Sequence, residues 1–591
     1  MTRLVTDPFR EEIVGKKGSI YYRVHPYHTK VPPEGIIPHI EHYTDPGDTV
    51  LDPFCGSGMT GVAAMLSGRR GIISDLSPAA VSISRGHTLA PDVRALRGAE
   101  QSLLTGLEEL EDHLYGTTCS SCGNRARIEY TVWSDTVECP RCREHSLFWD
   151  AARTPEGTVS KVLACPSCHA EFRKSEAKIL PPAPVLVSVG CGYCKTRVSR
   201  ELTVPEYREA VKSRRTEIGD WFPTAPLDSW REMWRGQHRE MGIATSADFF
   251  TDRNLQALSA CWRAAGESSE PVAMRFAVSA VINRASRRYQ WNPKRPTNVL
   301  SGTLYIASLT YEFNVFSLLR RKLALNNKLA SALISTPGTA EVRQASATEL
   351  TYLDDDSIDY VFTDPPFGAN IYYSDASFLW EAWLNDFTST SQEAVVSTSL
   401  APEHGGKSLA DYENLMAQSF AEIGRVLRPN GWASVMFHNS DDAVWSSLER
   451  AIESAGLQLE SATAFDKSQP SFKGIKQFTS QEKVSSFDLV LQLHARNGRS
   501  RTSQLVVPPL DEQLVEAIAI HLRTAAPRHR TTPYIHSFVM RLLLERGWPL
   551  TGQSYGHIER LLGDNFEPDG RGWKLSTTVL ADDAEEEDLA G

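Results

Sequence analysis

Apolar and polar positions alternate along the chain in runs of strand and helix size. Residues 49–52, T-V-L-D, form a short apolar strand ending in an acid; a glycine turn follows, then the helix-like G-V-A-A-M-L and a second strand in G-R-R-G-I-I-S-D. Strand, glycine turn, helix and acid-tipped strand make the opening unit of a doubly wound parallel sheet. The signal returns beyond residue 340, where S-I-D-Y-V-F is an apolar run bounded by acids and F-A-E-I-G-R-V-L-R-P-N-G-W-A-S-V-M-F-H-N reads as helix, turn and buried strand. Two β-rich runs, 457–465 and 485–495, predict an antiparallel hairpin that closes the sheet. Between the halves, D-F-F-T-D-R-N-L-Q-A-L-S-A-C-W is an Asp-capped amphipathic run in a helix-rich stretch. Residues 505–580 read as helical, with T-T-P-Y-I-H-S-F-V-M-R-L-L-L-E-R-G ending at a glycine.

The pattern breaks at T-D-P-P-F, residues 363–367. Proline cannot continue a ladder, so the strand stops and a stiff loop forms at its carboxyl end, the rim where open α/β sheets bind ligands.

A length of 591 residues exceeds what one core usually supports. Hydrophobic residues at 41% and charged residues at 23% describe an ordinary soluble protein, and no apolar run reaches bilayer length, so a cytoplasmic location without a membrane is the expectation. The net charge of -11 argues against a uniformly basic coat, so a polyanion must meet a local patch. The last residues, A-D-D-A-E-E-E-D-L-A-G, read as a solvated acidic tail.

Eight of the ten cysteines form four CxxC pairs. In a reducing compartment these point to metal. Cys119, Cys122, Cys139 and Cys142, then Cys165, Cys168, Cys191 and Cys194, predict two structural zinc ribbons, four thiolates to each tetrahedral ion. Interleaved pairing into one compact two-zinc unit is the alternative. Cys55 and Cys261 read as small buried residues.

The glycine turn is D-P-F-C-G-S-G, with Gly56 and Gly58 allowing a tight turn and a close backbone approach to a ligand. Asp75, at the tip of the second strand, is placed to accept from ribose hydroxyls. Asp52, just upstream, repels phosphate and tolerates a cation, which favours a small nucleoside with a cationic centre. A ligand-free turn is the plainer alternative.

Together, D-P-F-C-G-S-G-M-T and T-D-P-P-F resemble the amino-methyltransferases that use S-adenosylmethionine to modify exocyclic amines of DNA bases. The resemblance implies an α/β fold, a Rossmann-like class I methyltransferase sheet split by a zinc-ribbon plus helical insertion, with a small helical C-terminal module. It implies cofactor contacts from Asp52, Phe54, Gly56, Gly58 and Asp75, from Ser346 in the second half, and from Thr29 and Lys30 in H-P-Y-H-T-K-V-P-P. Asp364 and the carbonyl of Pro365 would hold the target amine, Pro366 would stiffen the loop, and Phe367 would stack on an extruded base. Tyr372, Tyr373 and Asp375 follow as a substrate lip, with aromatic core as the alternative for the tyrosines. Arg284, Arg287, Arg288, Lys294 and Arg295, interleaved with Tyr289 and Trp291, form a candidate nucleic-acid patch, set against a solvated charge cluster.

Zinc ribbons inside the insert further resemble a group of large bacterial adenine-specific methylases. The expected organisation is 1–115 for the first half of the methyltransferase domain, 116–200 for zinc ribbons, 201–335 for a helical target-recognition insert, 336–500 for the second half, 501–580 for the helical module and 581–591 for the tail. DNA is the expected partner, with restriction or phage-defence proteins beside it. An RNA methyltransferase and a catalytically silent nucleic-acid-binding subunit are the rivals.

Overall fold

The computed structural model describes residues 4–11, 13–15, 18–154, 158–292, 303–369, 371–437, 442–466, 487–495, 510–546, 548, 552–553, 555–570 and 572–575. Lys294, Arg295 and the acidic tail lie outside these residues.

Both halves of the chain contribute to one eight-stranded sheet. In chain order its strands are β1 (Ile13–Val14), β2 (Thr49–Asp52), β3 (Arg70–Asp75), β4 (Thr339–Gln344), β5 (Ile358–Thr363), β6 (Leu427–Phe437), β7 (Leu457–Asp466) and β8 (Phe487–Ala495). Across the sheet the order is β1-β7-β8-β6-β5-β2-β3-β4. From β4 to β6 every neighbour is parallel, while β8 runs antiparallel to both β6 and β7. The two β-rich runs therefore form the closing hairpin. The chain winds outward from β2 through β3 to β4, then returns to lay β5 on the other side of β2. That reversal opens a crevice between the carboxyl ends of β2 and β5.

The fold is a Rossmann-like α/β sheet interrupted between β3 and β4 by the whole insert. The insert is organised by a second sheet, built on the long antiparallel pair Arg125–Glu138 and Lys178–Gly190, with Arg197–Arg200 on one edge and Leu309–Phe313 on the other. Leu309–Phe313 comes from the helical part of the insert, so ribbon and helices share one sheet. Arg253 and Glu312, each 1% exposed, pair at this junction, where Trp133 Nε1 also donates to Glu312 at 3.0 Å. Buried charge is costly alone, and here each member is neutralised and hydrogen-bonded. The helix Asp511–Thr524 and its successors pack into the core that flanks β6, β7 and β8. This C-terminal module also carries a hairpin, Phe566–Asp569 with Gly572–Leu575, which the helical expectation lacked.

The cysteines correct the sequential pairing. Cys119, Cys122, Cys191 and Cys194 converge at one end of the long hairpin, and Cys139, Cys142, Cys165 and Cys168 at the other. Antiparallel pairing dictates this: residues just before the first long strand meet those just after the second, and the inner pairs meet at the opposite end. The compact two-zinc alternative fails as well, because 14 residues of strand at about 3.3 Å each separate the two clusters. All four knuckles share one backbone. The first cysteine's N–H donates to a carbonyl five residues on (Asn124, Glu144, Ala170 and Thr196), and the residue after the second cysteine has positive φ, at Gly123, Arg143, His169 and Lys195.

Candidate active site

The carboxyl ends of β2, β3, β4 and β5 line one cleft enclosing about 1000 Å³, mouth included. Thr29, Lys30, Asp52, Phe54, Gly56, Asp75, Ser346, Asp364 and Pro366 all border it, so residues more than 300 positions apart meet. Pro365 is buried behind this lining.

At the switch point Asp52 is the hub. Its Oδ1 accepts from Thr363 Oγ1 at 2.7 Å and from the Phe54 amide at 3.1 Å, and its Oδ2 accepts from Thr60 Oγ1 at 2.7 Å. The carboxyl of Asp52 therefore ties the end of β5 to the glycine loop. Burial pushes its pKa up to about 6 against these hydrogen bonds.

Asp75 performs the matching task on β3. Its Oδ2 accepts from the Gly56 amide at 2.8 Å and its Oδ1 from the Ser77 amide at 2.9 Å. Burial raises its pKa to about 6 also. Each oxygen keeps a second lone pair for a ligand hydroxyl.

The glycines are required by geometry. Gly58 has φ +79°, and a Cβ there would lie 2.8 Å from Ser84 Cβ and Oγ. Gly56, at φ +49°, would set a Cβ 3.0 Å from the Tyr27 ring. Gly56 borders the cleft, so the backbone meets the cavity there with no side chain on it, whereas Gly58 is outside the lining and packs against Ser84.

On the second half, Ser346 Oγ lies 2.8 Å from Thr348 Oγ1, and both residues border the cleft. Tyr412, from the helix Leu409–Val426, donates its hydroxyl to the Pro366 carbonyl at 2.8 Å and holds the D-P-P-F loop from behind.

Several expected roles are corrected. Lys30 Nζ is surrounded by the carbonyls of Tyr22 (2.9 Å), His25 (3.0 Å) and Tyr21 (3.4 Å), so the three N–H bonds of an ammonium are spent on the chain itself. Burial, with Lys322 nearby, lowers its pKa to about 7. Lys30 thus borders the cleft with its ammonium held by the chain's own carbonyls. Phe367 is 8% exposed and meets Phe437 edge-on at 5.4 Å, outside the cleft lining, so its ring is core and offers no open stacking face.

In the candidate nucleic-acid patch, Arg288 is 3% exposed and donates to Asn283 and the Thr303 carbonyl. Tyr289 is 5% exposed and packs on Tyr311 and Phe313. Both are structural. Arg284 sits over the Tyr289 and Phe313 rings, Arg287 reaches the Asp248 carbonyl, and Trp291 leans on Trp149.

The cleft also recruits residues that sequence reasoning passed over: Tyr27, Ser77, Thr388, Gln392 and Glu393. Tyr27 lies inside the H-P-Y-H-T-K segment and Ser77 caps the helix after Asp75, so both had a local signal. The T-S-T-S-Q-E loop has no periodicity and gave none.

The metal clusters are spatially separate. Cys119 and Cys194 Sγ lie 3.7 Å apart, as do Cys122 and Cys191 and Cys142 and Cys165, with Cys139 and Cys168 at 3.8 Å. A tetrahedron with Zn–S bonds of about 2.3 Å has edges near 3.8 Å, so the eight thiols fit two zinc ions.

Residues 9–85, 77 of the 591, match the family model described as DNA methylase, of the N6/N4 methyltransferase type. The first half of the site lies inside the segment that is similar to this model. The methylase match covers β1 through β3 and the glycine loop and stops before the insert. No curated protein matches the chain significantly.

Solved structures similar to parts of the chain include the antibiotic-resistance methyltransferase Kmr (14% identity, 29% of this chain, 67% of that one, TM-score 0.16). A protein assigned as a DNA modification methylase from Thermus thermophilus aligns at 13% identity over 31% of this chain and 63% of that one, TM-score 0.15. Geranyl diphosphate C-methyltransferase from Streptomyces coelicolor A3(2), solved with S-adenosyl-L-homocysteine, aligns at 11% over 30% and 60%, TM-score 0.16. The chain thus spans 60–67% of the length of these structures. At such scores the overlaps carry no argument, and the fold stands on its strand order. Among the described residues no helix is long and apolar enough to cross a membrane.

Proposed function

We propose that this chain is an S-adenosylmethionine-dependent DNA methyltransferase acting on an exocyclic amine, adenine N6 in preference to cytosine N4. The observation that carries the reading is the shared cleft: Asp364 opens onto the same cavity as Gly56 and Asp75. S-adenosylmethionine, when bound, supplies an electrophilic methyl group on a sulfonium.

The chain's own residues do the rest. Asp75 accepts from ribose hydroxyls, the Gly56–Ser57 backbone lies against the nucleoside with Gly58 tightening the turn behind it, and Thr29 and Ser346 border the cavity. Asp52 keeps the loop and the end of β5 in register from beneath.

The target amine is a poor nucleophile because its lone pair is delocalised into the ring. Accepting one N–H at the Asp364 carboxylate and the other at the Pro365 carbonyl favours a pyramidal nitrogen and frees that pair. Two prolines hold φ near about -65°, so the carbonyl needs no further ordering. Aspartate at the first position of the loop leans the resemblance toward adenine. A restriction-modification or phage-defence setting follows from the resemblance alone.

The test is Asp364→Ala. It is expected to fold, to bind cofactor within about twofold of wild type by calorimetry, and to lose at least about a hundredfold in methyl transfer. Retained activity removes Asp364 from the mechanism. A labelled-methyl competition of DNA against RNA separates the substrate classes, and methylation-aware sequencing of DNA from expressing cells reports base and site together.

A further inference from the structure

Beyond the loop that leaves Asp364 lies a one-turn helix, Tyr373–Ala376, whose first residue borders the cleft. Its residues are held from two directions. Ser374 donates its amide and its hydroxyl to Glu393, at 3.0 and 2.7 Å, from the loop that closes one side of the cleft. Asp375 accepts from Arg231 Nη1 at 2.8 Å and from the Met233 amide at 2.9 Å, so both its oxygens are bound by one segment of the insert. The Arg231–Asp375 pair is buried, with side chains 11% and 5% exposed. Burying an ion pair gains little stability over apolar packing, so its clearest effect is to fix one geometry.

What the two clamps fix is the residue before them. Tyr373 borders the cleft, and Thr29, Asp364, Asp75 and Glu393 border the same cavity. A phenol is a neutral donor among acceptors, and burial beside Asp364 pushes its pKa up, so it keeps its proton.

We propose that Tyr373 is a positioning residue for methyl transfer: clamps from Glu393 and from the insert's Arg231 on the two residues after it hold its phenol in the wall of the cavity that Asp364 shares with the cofactor side of the cleft. The insert thereby reaches the reacting centre without touching it. The inference rests on the proposed transfer to a DNA amine and names a further residue of that site.

The experiment uses the full chain, labelled S-adenosylmethionine and unmethylated bacterial genomic DNA, with Tyr373→Phe, Asp375→Asn, Ser374→Ala and the Tyr373→Phe/Asp375→Asn double variant. Tyr373→Phe is expected to lower kcat roughly ten- to a hundredfold, with cofactor Kd, KM for DNA and melting midpoint close to wild type. Asp375→Asn and Ser374→Ala are expected to lose part of the same kcat, and the double variant no more than Tyr373→Phe alone. Full kcat in Tyr373→Phe overturns the proposal, as do single losses that multiply in the double variant. Should Asp375→Asn fail to fold, Ser374→Ala in the Tyr373→Phe background decides by the same rule. Wild-type protein that transfers no methyl to DNA overturns the function instead.

Discussion

At the cleft, Asp52 and Asp75 each satisfy both carboxylate oxygens with amides or hydroxyls of the chain itself. At the ends of the insert's hairpin, eight thiols crowd to 3.7–3.8 Å, a spacing that suits thiolates only with a cation between them. One region is shaped by internal hydrogen bonds and can exist before its ligand arrives, whereas the other depends on its ion for its shape. The two cysteine clusters differ in turn. Cys119 and Cys191 belong to the large core shared with the insert's helices, and Cys139 and Cys165 to a small satellite core.

This contrast can be broken most sharply by removing the metal. Cys119→Ser is expected to abolish the cooperative unfolding of the insert and to lower soluble yield severely, read by calorimetry and bound zinc. Equally large losses in cofactor binding and in insert stability would show that cleft and insert fold as one unit.

Next in size is Gly58→Ala, which sets a left-handed non-glycine residue, costing about 1–2 kcal/mol, against Ser84. It should weaken cofactor binding and leave zinc content unchanged.

A smaller effect comes from pH. Asp52 and Asp75 have folded-state pKa values of about 6, above the ordinary carboxylate value, so the folded chain holds their protons more tightly than the unfolded one. Their contribution to stability is full below about pH 4 and is lost as pH rises through about 6. A cationic ligand prefers the ionised carboxylates, so its affinity should rise about tenfold per group between pH 5 and 7. In Asp75→Asn that rise should be reduced; an unchanged slope would remove Asp75 from the binding site.

Smallest is Cys165→Ser, expected to release one zinc ion and to shift the main melting transition by only a degree or two.

How legible the site was depended on how local its cause was. The D-P-F-C-G-S-G loop and the acid at Asp75 could be read because a tight turn needs glycine and a strand tip exposes its last side chain. The meeting of Asp364 with that loop follows from strand order, which the repeated strand and helix signals implied. Phe367 departs from its expected role because family motifs name residues and not the partners that occupy them. Arg288 and Tyr289 looked like a surface cluster, since interleaved charge and aromatics give no sign of which side faces the core. The knuckle pairing was illegible because cysteine spacing says nothing about which ends an antiparallel pair brings together.

The knuckles nest like parentheses, Cys139 to Cys168 inside Cys119 to Cys194. As the nascent chain emerges, the inner bracket can shut once residue 168 is out, after a loop of about thirty residues. The hairpin then zips outward, so the outer bracket closes across a gap already shortened by its own strands. Metal loading would follow a built-in order, distal ion first, and a chain stalled between residues 168 and 191 would carry one zinc.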